Sequence, residues 1–107
     1  MNLLRKGIMF IWFVYIIKST VTGKLYIGIS NHPLQRLMKH NLGKGAKSTR
    51  AGRPWEIVFL LRAGTKSEAL KKEYRMKQLT RREKLTLVQE SQASLEREFL
   101  KLSLQEP

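Results

Sequence analysis

Ten consecutive apolar residues, Ile8–Ile17, dominate the front of the chain. Ile11, Phe13, Val14, Tyr15, Ile16 and Ile17 are β-branched or aromatic, types that pack well on a pleated surface. The run predicts a strand over Phe10–Lys18, buried on both faces. Thr20-Val21-Thr22-Gly23 reads as a hairpin turn in which Gly23 supplies a positive φ, and Lys24–Ser30 reads as the returning strand. The spacing then becomes helical. A helix is predicted over Pro33–Leu42, with Leu34, Leu37 and Met38 as its core face. Asn31 or His32 can cap it, proline suits its first turn, and Gly43 can stop it.

Residues 43–54 (GKGAKSTRAGRP) are polar, basic and glycine-bearing, the pattern of a mobile loop. Trp55–Leu61 predicts the third strand and Arg62–Lys66 a turn. Thr65 with Glu68 fits a capping box, with Ser67 as the alternative cap, and the helix it opens runs to about Leu79. Thr80 with Glu83 fits a second box and opens another helix. Beyond it, residues 89–107 are charged and weakly periodic. Leu95, Phe99 and Leu102 give them one apolar stripe, so they read as a helical or flexible tail. The order β-β-α-β-α-α predicts a small α/β (α+β) fold, a three-stranded sheet flanked by helices, over residues 10–88. Residues 1–9 read as an N-terminal extension.

Composition narrows what such a fold can do. The 107 residues form one domain with enough apolar content, 42%, to exclude a disordered chain. There is no cysteine, which excludes disulfides, zinc ribbons, iron–sulfur clusters and thiol nucleophiles. The apolar run is too short to span a bilayer. Arg5 and Lys6 before it resemble the start of a secretory signal, but Lys18-Ser19-Thr20 follows in place of a small-residue cleavage site. A cytoplasmic location without membrane contact is expected.

Charge changes the picture most. Residues 1–55 hold ten Lys/Arg and no acid, residues 56–107 hold eleven Lys/Arg and eight Glu, and the chain has no Asp; the net charge is +13. An acid-free half of this kind matches a polyanion, and nucleic acid is the expected partner. Gly28, Lys39, Lys44, Lys47, Thr49, Arg50 and Arg53 are the expected nucleic-acid contacts. Glycines let a backbone approach a phosphate, and lysines on a loop adapt to its position.

Three features carry candidate chemistry. Gly28 interrupts a strand, which marks a close approach of backbone or ligand, and Tyr26 shares its face. A packed tyrosine beside a twisted strand is the plainer reading. Arg36 and His40 lie four apart on one helix face, either a solvated basic stripe or a cation placed to meet charge growing on a phosphate. Glu73 falls within an apolar arc, between Ala69, Met76 and Leu79 on one side and Leu70 and Tyr74 on the other. A free carboxylate is costly there. Lys77 offers it an i,i+4 salt pair; alternatively it holds Mg²⁺, with waters and substrate phosphate completing the shell. Without Asp, a multi-carboxylate two-metal site is not built, so any metal chemistry uses one ion.

Val14-Tyr15-Ile16, then Tyr26-Ile27-Gly28, then Arg36 and His40, then Glu73 in an Ala-Leu-Lys-Lys-Glu-Tyr segment resemble the GIY-YIG nuclease family. The likeness runs from Phe13 to about Val88 and is greatest to small standalone bacterial members, with residues 43–50 and Arg53-Pro54-Trp55-Glu56 contributing. The resemblance implies a phosphodiester hydrolase using one Mg²⁺ or Mn²⁺ held by Glu73. It implies Tyr26 as general base, Arg36 as stabiliser of the pentavalent phosphorus, and Tyr15 and His40 as site-lining residues that help proton transfer. The first motif here reads Val-Tyr-Ile, and residues 77–88 lack the Asn that many members carry after the metal-binding Glu. No recognition domain accompanies the fold. The expectation is therefore a DNA endonuclease directed by substrate structure, or by a partner protein that supplies specificity. Nothing in these residues separates DNA from RNA. The alternative is a nucleic-acid-binding module with weak or no cleavage.

Overall fold

The computed structural model describes residues 11–106, so the 1–9 extension and Phe10 lie outside the described residues. Three antiparallel strands, β1 (Trp12–Ser19), β2 (Leu25–Ser30) and β3 (Trp55–Gly64), form one sheet in the order β2-β1-β3. Four helices flank it: α1 (Pro33–Asn41), α2 (Lys66–Lys77), α3 (Arg81–Glu90) and α4 (Gln92–Gln105), with a 3₁₀ turn at Lys47–Thr49.

The continuous apolar run becomes the central strand because only there are both faces covered. Val14 and Ile16 point to one core with Ile27, Phe59, Ala63, Ala69 and Met76. Phe13, Tyr15 and Ile17 point to the other with Trp55, Leu60 and Leu102. The hairpin closes through Ser19, whose hydroxyl accepts from the N–H groups of Val21 (3.1 Å) and Thr22 (2.9 Å) and donates to the Gly52 carbonyl (2.6 Å). Gly23 takes φ 75°.

β3 is longer than Trp55–Leu61, and the residues expected to turn remain in the sheet. Arg62 pairs with Phe13 and Gly64 with Trp12 across a register shift. A polar residue is tolerated because β3 is an edge strand. Arg62 lies over the Phe13 ring and pairs with Glu98 of α4 at 2.9 Å. Both capping boxes, Thr65 with Glu68 and Thr80 with Glu83, are formed.

Two helices bury narrower stripes than their spacing suggested. Met38 is exposed, while Leu34 and Leu37 pack against the core. On α2, Ala69 and Met76 are buried but Leu70 and Tyr74 are exposed. Glu73 therefore sits at the rim of the helix interface, not within a fully apolar arc.

The tail is an ordered layer. α4 packs on β3, buries Leu102, and ends by capping α1. The His32 side chain makes no cap. The Glu106 carboxylate instead accepts from Leu34 N–H (3.1 Å) and Gln35 N–H (3.0 Å), satisfying orphan donors of the first turn of α1.

Candidate active site

β1 places Tyr15 opposite Gly28, and β2 alternation puts Tyr26 on the same face two residues away. Gly28 is buried under the Tyr15 ring: a Cβ there would lie 2.5 Å from the Tyr15 hydroxyl and 2.7 Å from its Cζ. Gly28 thus makes room for a phenol to cross the edge strand, in place of the nucleic-acid contact expected of it. α1 delivers His40 from above. The three rings form a cluster, with centroids 6.4 Å apart for Tyr15–Tyr26, 5.9 Å for Tyr15–His40 and 5.3 Å for Tyr26–His40.

A file of hydrogen bonds runs through this cluster. The Thr49 hydroxyl donates to the Ala46 carbonyl at 2.8 Å. Having one proton, it can only accept from His40 Nδ1, also at 2.8 Å. That fixes the proton on Nδ1 and leaves Nε2 as an acceptor for the Tyr15 hydroxyl at 2.8 Å. Burial, reinforced by the Arg36 guanidinium, lowers the His40 pKa to about 4, so the ring is neutral near pH 7. Burial raises the Tyr15 pKa to about 12, opposed by Arg36 and reinforced by Tyr26 and Glu73. The arrangement is self-consistent: a neutral imidazole receives a proton from a neutral phenol.

Arg36 on α1 and Glu73 on α2 both act on the Tyr15 hydroxyl, Arg36 by a hydrogen bond and its charge and Glu73 by its charge, so the two helices' charges bear on one phenol. The Lys77 ammonium lies 3.5 Å from Glu73 Oε2, forming the i,i+4 pair. Among the described residues no group of three or more His, Cys, Asp or Glu side chains is arranged around a common point. A single half-buried carboxylate suits a hard cation such as Mg²⁺ only if waters and the oxygens of a bound substrate complete its shell.

The basic loop is more structured than its composition indicates. Thr49, expected to touch nucleic acid, is fully buried. It is held by Ala46, by His40, and by Trp55, whose Nε1 donates to its carbonyl at 2.8 Å. Asn41 clamps the base of the loop, donating to the Trp55 carbonyl (3.0 Å) and accepting from its N–H (2.6 Å). Arg53 folds back along the loop, its Nε donating to the Arg50 carbonyl at 2.8 Å, and stays exposed. Lys39, Lys44, Lys47 and Arg50 remain exposed. Thr49, Asn41 and Trp55 went unrecognised as supports of the site. Gly45 was the available signal, since a Cβ there would collide with His40 Nδ1.

A sheet-edge cluster of two phenols, a neutral histidine, a guanidinium and one carboxylate is a compact polar site on a basic protein. Residues 11–86 match the GIY-YIG catalytic domain, and the chain belongs to that family. It is similar to a UPF0213 protein of Staphylococcus epidermidis, 50% identical over 78 residues that span 73% of this chain and 94% of that one. A UPF0213 protein of Pectobacterium carotovorum is 45% identical over 84 residues, spanning 78% of this chain and 84% of that one. The solution NMR structure of a UPF0213 protein from Bacillus halodurans shares 38% identity, covers 74% of this chain and 83% of that one, and has a TM-score of 0.47. The family match ends within α3, so α4 lies beyond it.

Proposed function

We propose that this protein is a divalent-cation-dependent endonuclease that hydrolyses DNA phosphodiester bonds, directed by substrate structure. The observation that carries the reading is the convergence on Tyr15. It sits in one hydrogen-bonded file with His40 and Thr49, beside Tyr26, with Arg36 and Glu73 acting on it from separate helices.

Hydrolysis forms a bond from water oxygen to phosphorus and breaks one P–O ester bond. The water loses a proton, and the leaving oxygen takes up negative charge or a proton. Tyr15 is poorly suited to take the first proton, because burial holds it neutral and its own proton is committed to His40. Tyr26 is half-buried and lines an open cleft, so it is the phenol that faces water; once its own proton has left to solvent, its phenolate oxygen takes the proton of the attacking water. Tyr15 and His40 hold the ring cluster in place and orient Tyr26, His40 by an edge contact and Tyr15 by a tilted one. Arg36 supplies a fixed positive charge where charge builds on phosphorus. Glu73 would hold the cation, which when bound neutralises the scissile phosphate and the leaving oxygen.

A nucleic-acid-binding module with little cleavage is the second reading, and the Lys77 ammonium beside Glu73 favours it. Incubation with plasmid, linear duplex and branched DNA in Mg²⁺, Mn²⁺ or EDTA separates the two. The nuclease reading predicts metal-dependent cutting, fastest on branched DNA. Binding without cutting in either metal overturns it in favour of the module.

A further inference from the structure

A second basic site lies beside Tyr26, away from the loop whose cations the sequence made conspicuous. A cleft of about 350 Å³ opens between the start of β2, the 3₁₀ turn, the start of β3 and α3. Lys24, Ser48, Arg81 and Lys84 supply its polar wall, and Tyr26 and Trp55 form part of the rest. Three cations from two distant segments thus converge with no acid in the lining. The nearby acid, Glu83, is turned away: its carboxylate accepts from the Thr80 N–H at 2.8 Å as part of the capping box.

The cations are not used up by the fold. Arg81 donates one Nη2 bond to the Gly23 carbonyl at 3.0 Å, which ties α3 to the hairpin and points the guanidinium at the cleft mouth. Lys24 and Lys84 have no ion-pair partner among the described residues, although Lys84 is half-buried. Converging like charges raise the free energy of the folded chain unless an anion compensates them. A tetrahedral anion satisfies the set: two ammonium groups and a guanidinium for charge, and a serine hydroxyl as a further donor.

We propose that this cleft binds a backbone phosphate of the nucleic-acid strand, next to the phosphate presented to Tyr26. The proposal rests on the nuclease reading and adds a place where the strand is gripped. Because Tyr26 lines the cleft and also packs on His40, a strand phosphate seated here is carried past the reactive cluster on the β2 side. The exposed Lys44, Lys47 and Arg50 leave the same cluster by way of the loop.

The test is the salt dependence of binding of the full chain to a labelled DNA duplex, in EDTA, by fluorescence anisotropy. Each neutralised phosphate contributes about 0.9 to the slope of log affinity against log salt. Lys24→Ala/Lys84→Ala should lower that slope by roughly one, the share of the single phosphate seated in the cleft, and Lys84→Arg should keep it at the wild-type value. Lys24→Ala alone, at an exposed position, should lower it by a resolvable fraction of that amount even if the double variant folds poorly. Lys66→Ala/Lys101→Ala, outside the cleft, should leave it unchanged. An unchanged slope in both cleft variants, while wild type binds and cuts DNA, overturns this site and spares the nuclease reading. An equal drop in the Lys66/Lys101 control also overturns it, because the effect is then that of net charge. Wild type that neither binds nor cuts DNA sinks both. Inorganic phosphate at matched ionic strength should compete better than chloride for wild type and no better than chloride for the double variant; phosphate binding by wild type with an unchanged DNA salt slope in the cleft variants would assign the cleft to a free anion instead.

Discussion

Thr49→Val removes one hydroxyl from the site at almost constant volume, and its consequences can be worked through atom by atom. The Ala46 carbonyl loses the Thr49 hydroxyl (2.8 Å) but keeps the Thr49 backbone N–H (3.0 Å), so it stays satisfied. The whole cost falls on His40 Nδ1–H, which is fully buried and loses its acceptor. An unsatisfied buried donor costs about 1–3 kcal/mol. For a domain of this size that is a drop in Tm of roughly 4–8 °C per kcal/mol. The ring has an escape. Moving the proton to Nε2 makes it a donor to the Tyr15 hydroxyl, reversing that bond and leaving the phenol proton to seek another acceptor. Urea unfolding should therefore show a loss of about 1–3 kcal/mol, and ¹⁵N chemical shifts of His40 should report conversion from the Nδ1–H to the Nε2–H tautomer. Thr49→Ser should restore both. A valine variant within 0.5 kcal/mol of wild type, with His40 still protonated on Nδ1, would refute the assigned direction of the whole file.

Three further outcomes follow from the same geometry. Arg36→Ala should slow cleavage about 100- to 1,000-fold with DNA affinity changed only a few-fold; single-turnover rates and anisotropy check this, and equal losses in both would make Arg36 an anchor. His40 gives an acid-side stability loss. The unfolded chain takes a proton near pH 6.5, the folded chain only near 4, so stability falls by about 3 kcal/mol as pH drops through that window. Urea titrations from pH 7 to 4 should show it, and His40→Gln should flatten the curve until carboxylates begin to protonate near the bottom of the range. Glu106→Gln should cost about 1 kcal/mol and slow cleavage, because the helix it caps carries Arg36 and His40; unchanged stability would mean that the tail merely rests on α1.

How much of this was legible in the sequence follows the range of the interactions. β1 and the two capping boxes were readable because they depend on neighbours within four residues. Strand alternation and helical spacing likewise bring Tyr26 to Gly28 and Arg36 to His40. Apolar spacing overstated the cores of α1 and α2, because a short helix on a three-stranded sheet covers only a narrow stripe and leaves Met38, Leu70 and Tyr74 in solvent. Arg62-Ala63-Gly64 looked like a turn, yet pairing with β1 holds it in the sheet. The Glu106 cap spans 72 residues and the Arg81–Gly23 bond 58, and no local pattern encodes either. Thr49 was misread for a related reason. Its loop composition looks exposed, and only the packing of Trp55 and His40 around it shows that it is buried.

The central claim is that this cluster cuts DNA with Glu73 holding the cation. Its most direct test is cleavage of a branched DNA by wild type and Glu73→Gln side by side, each in Mg²⁺ and in EDTA. Glu73→Gln keeps the size of the side chain and removes only its charge, and its partner Lys77 is largely exposed, so the fold should stay nearly intact in a thermal melt. The account predicts cutting by wild type in Mg²⁺ alone and none by the folded variant. Equal cutting by Glu73→Gln, or cutting by wild type in EDTA, contradicts it.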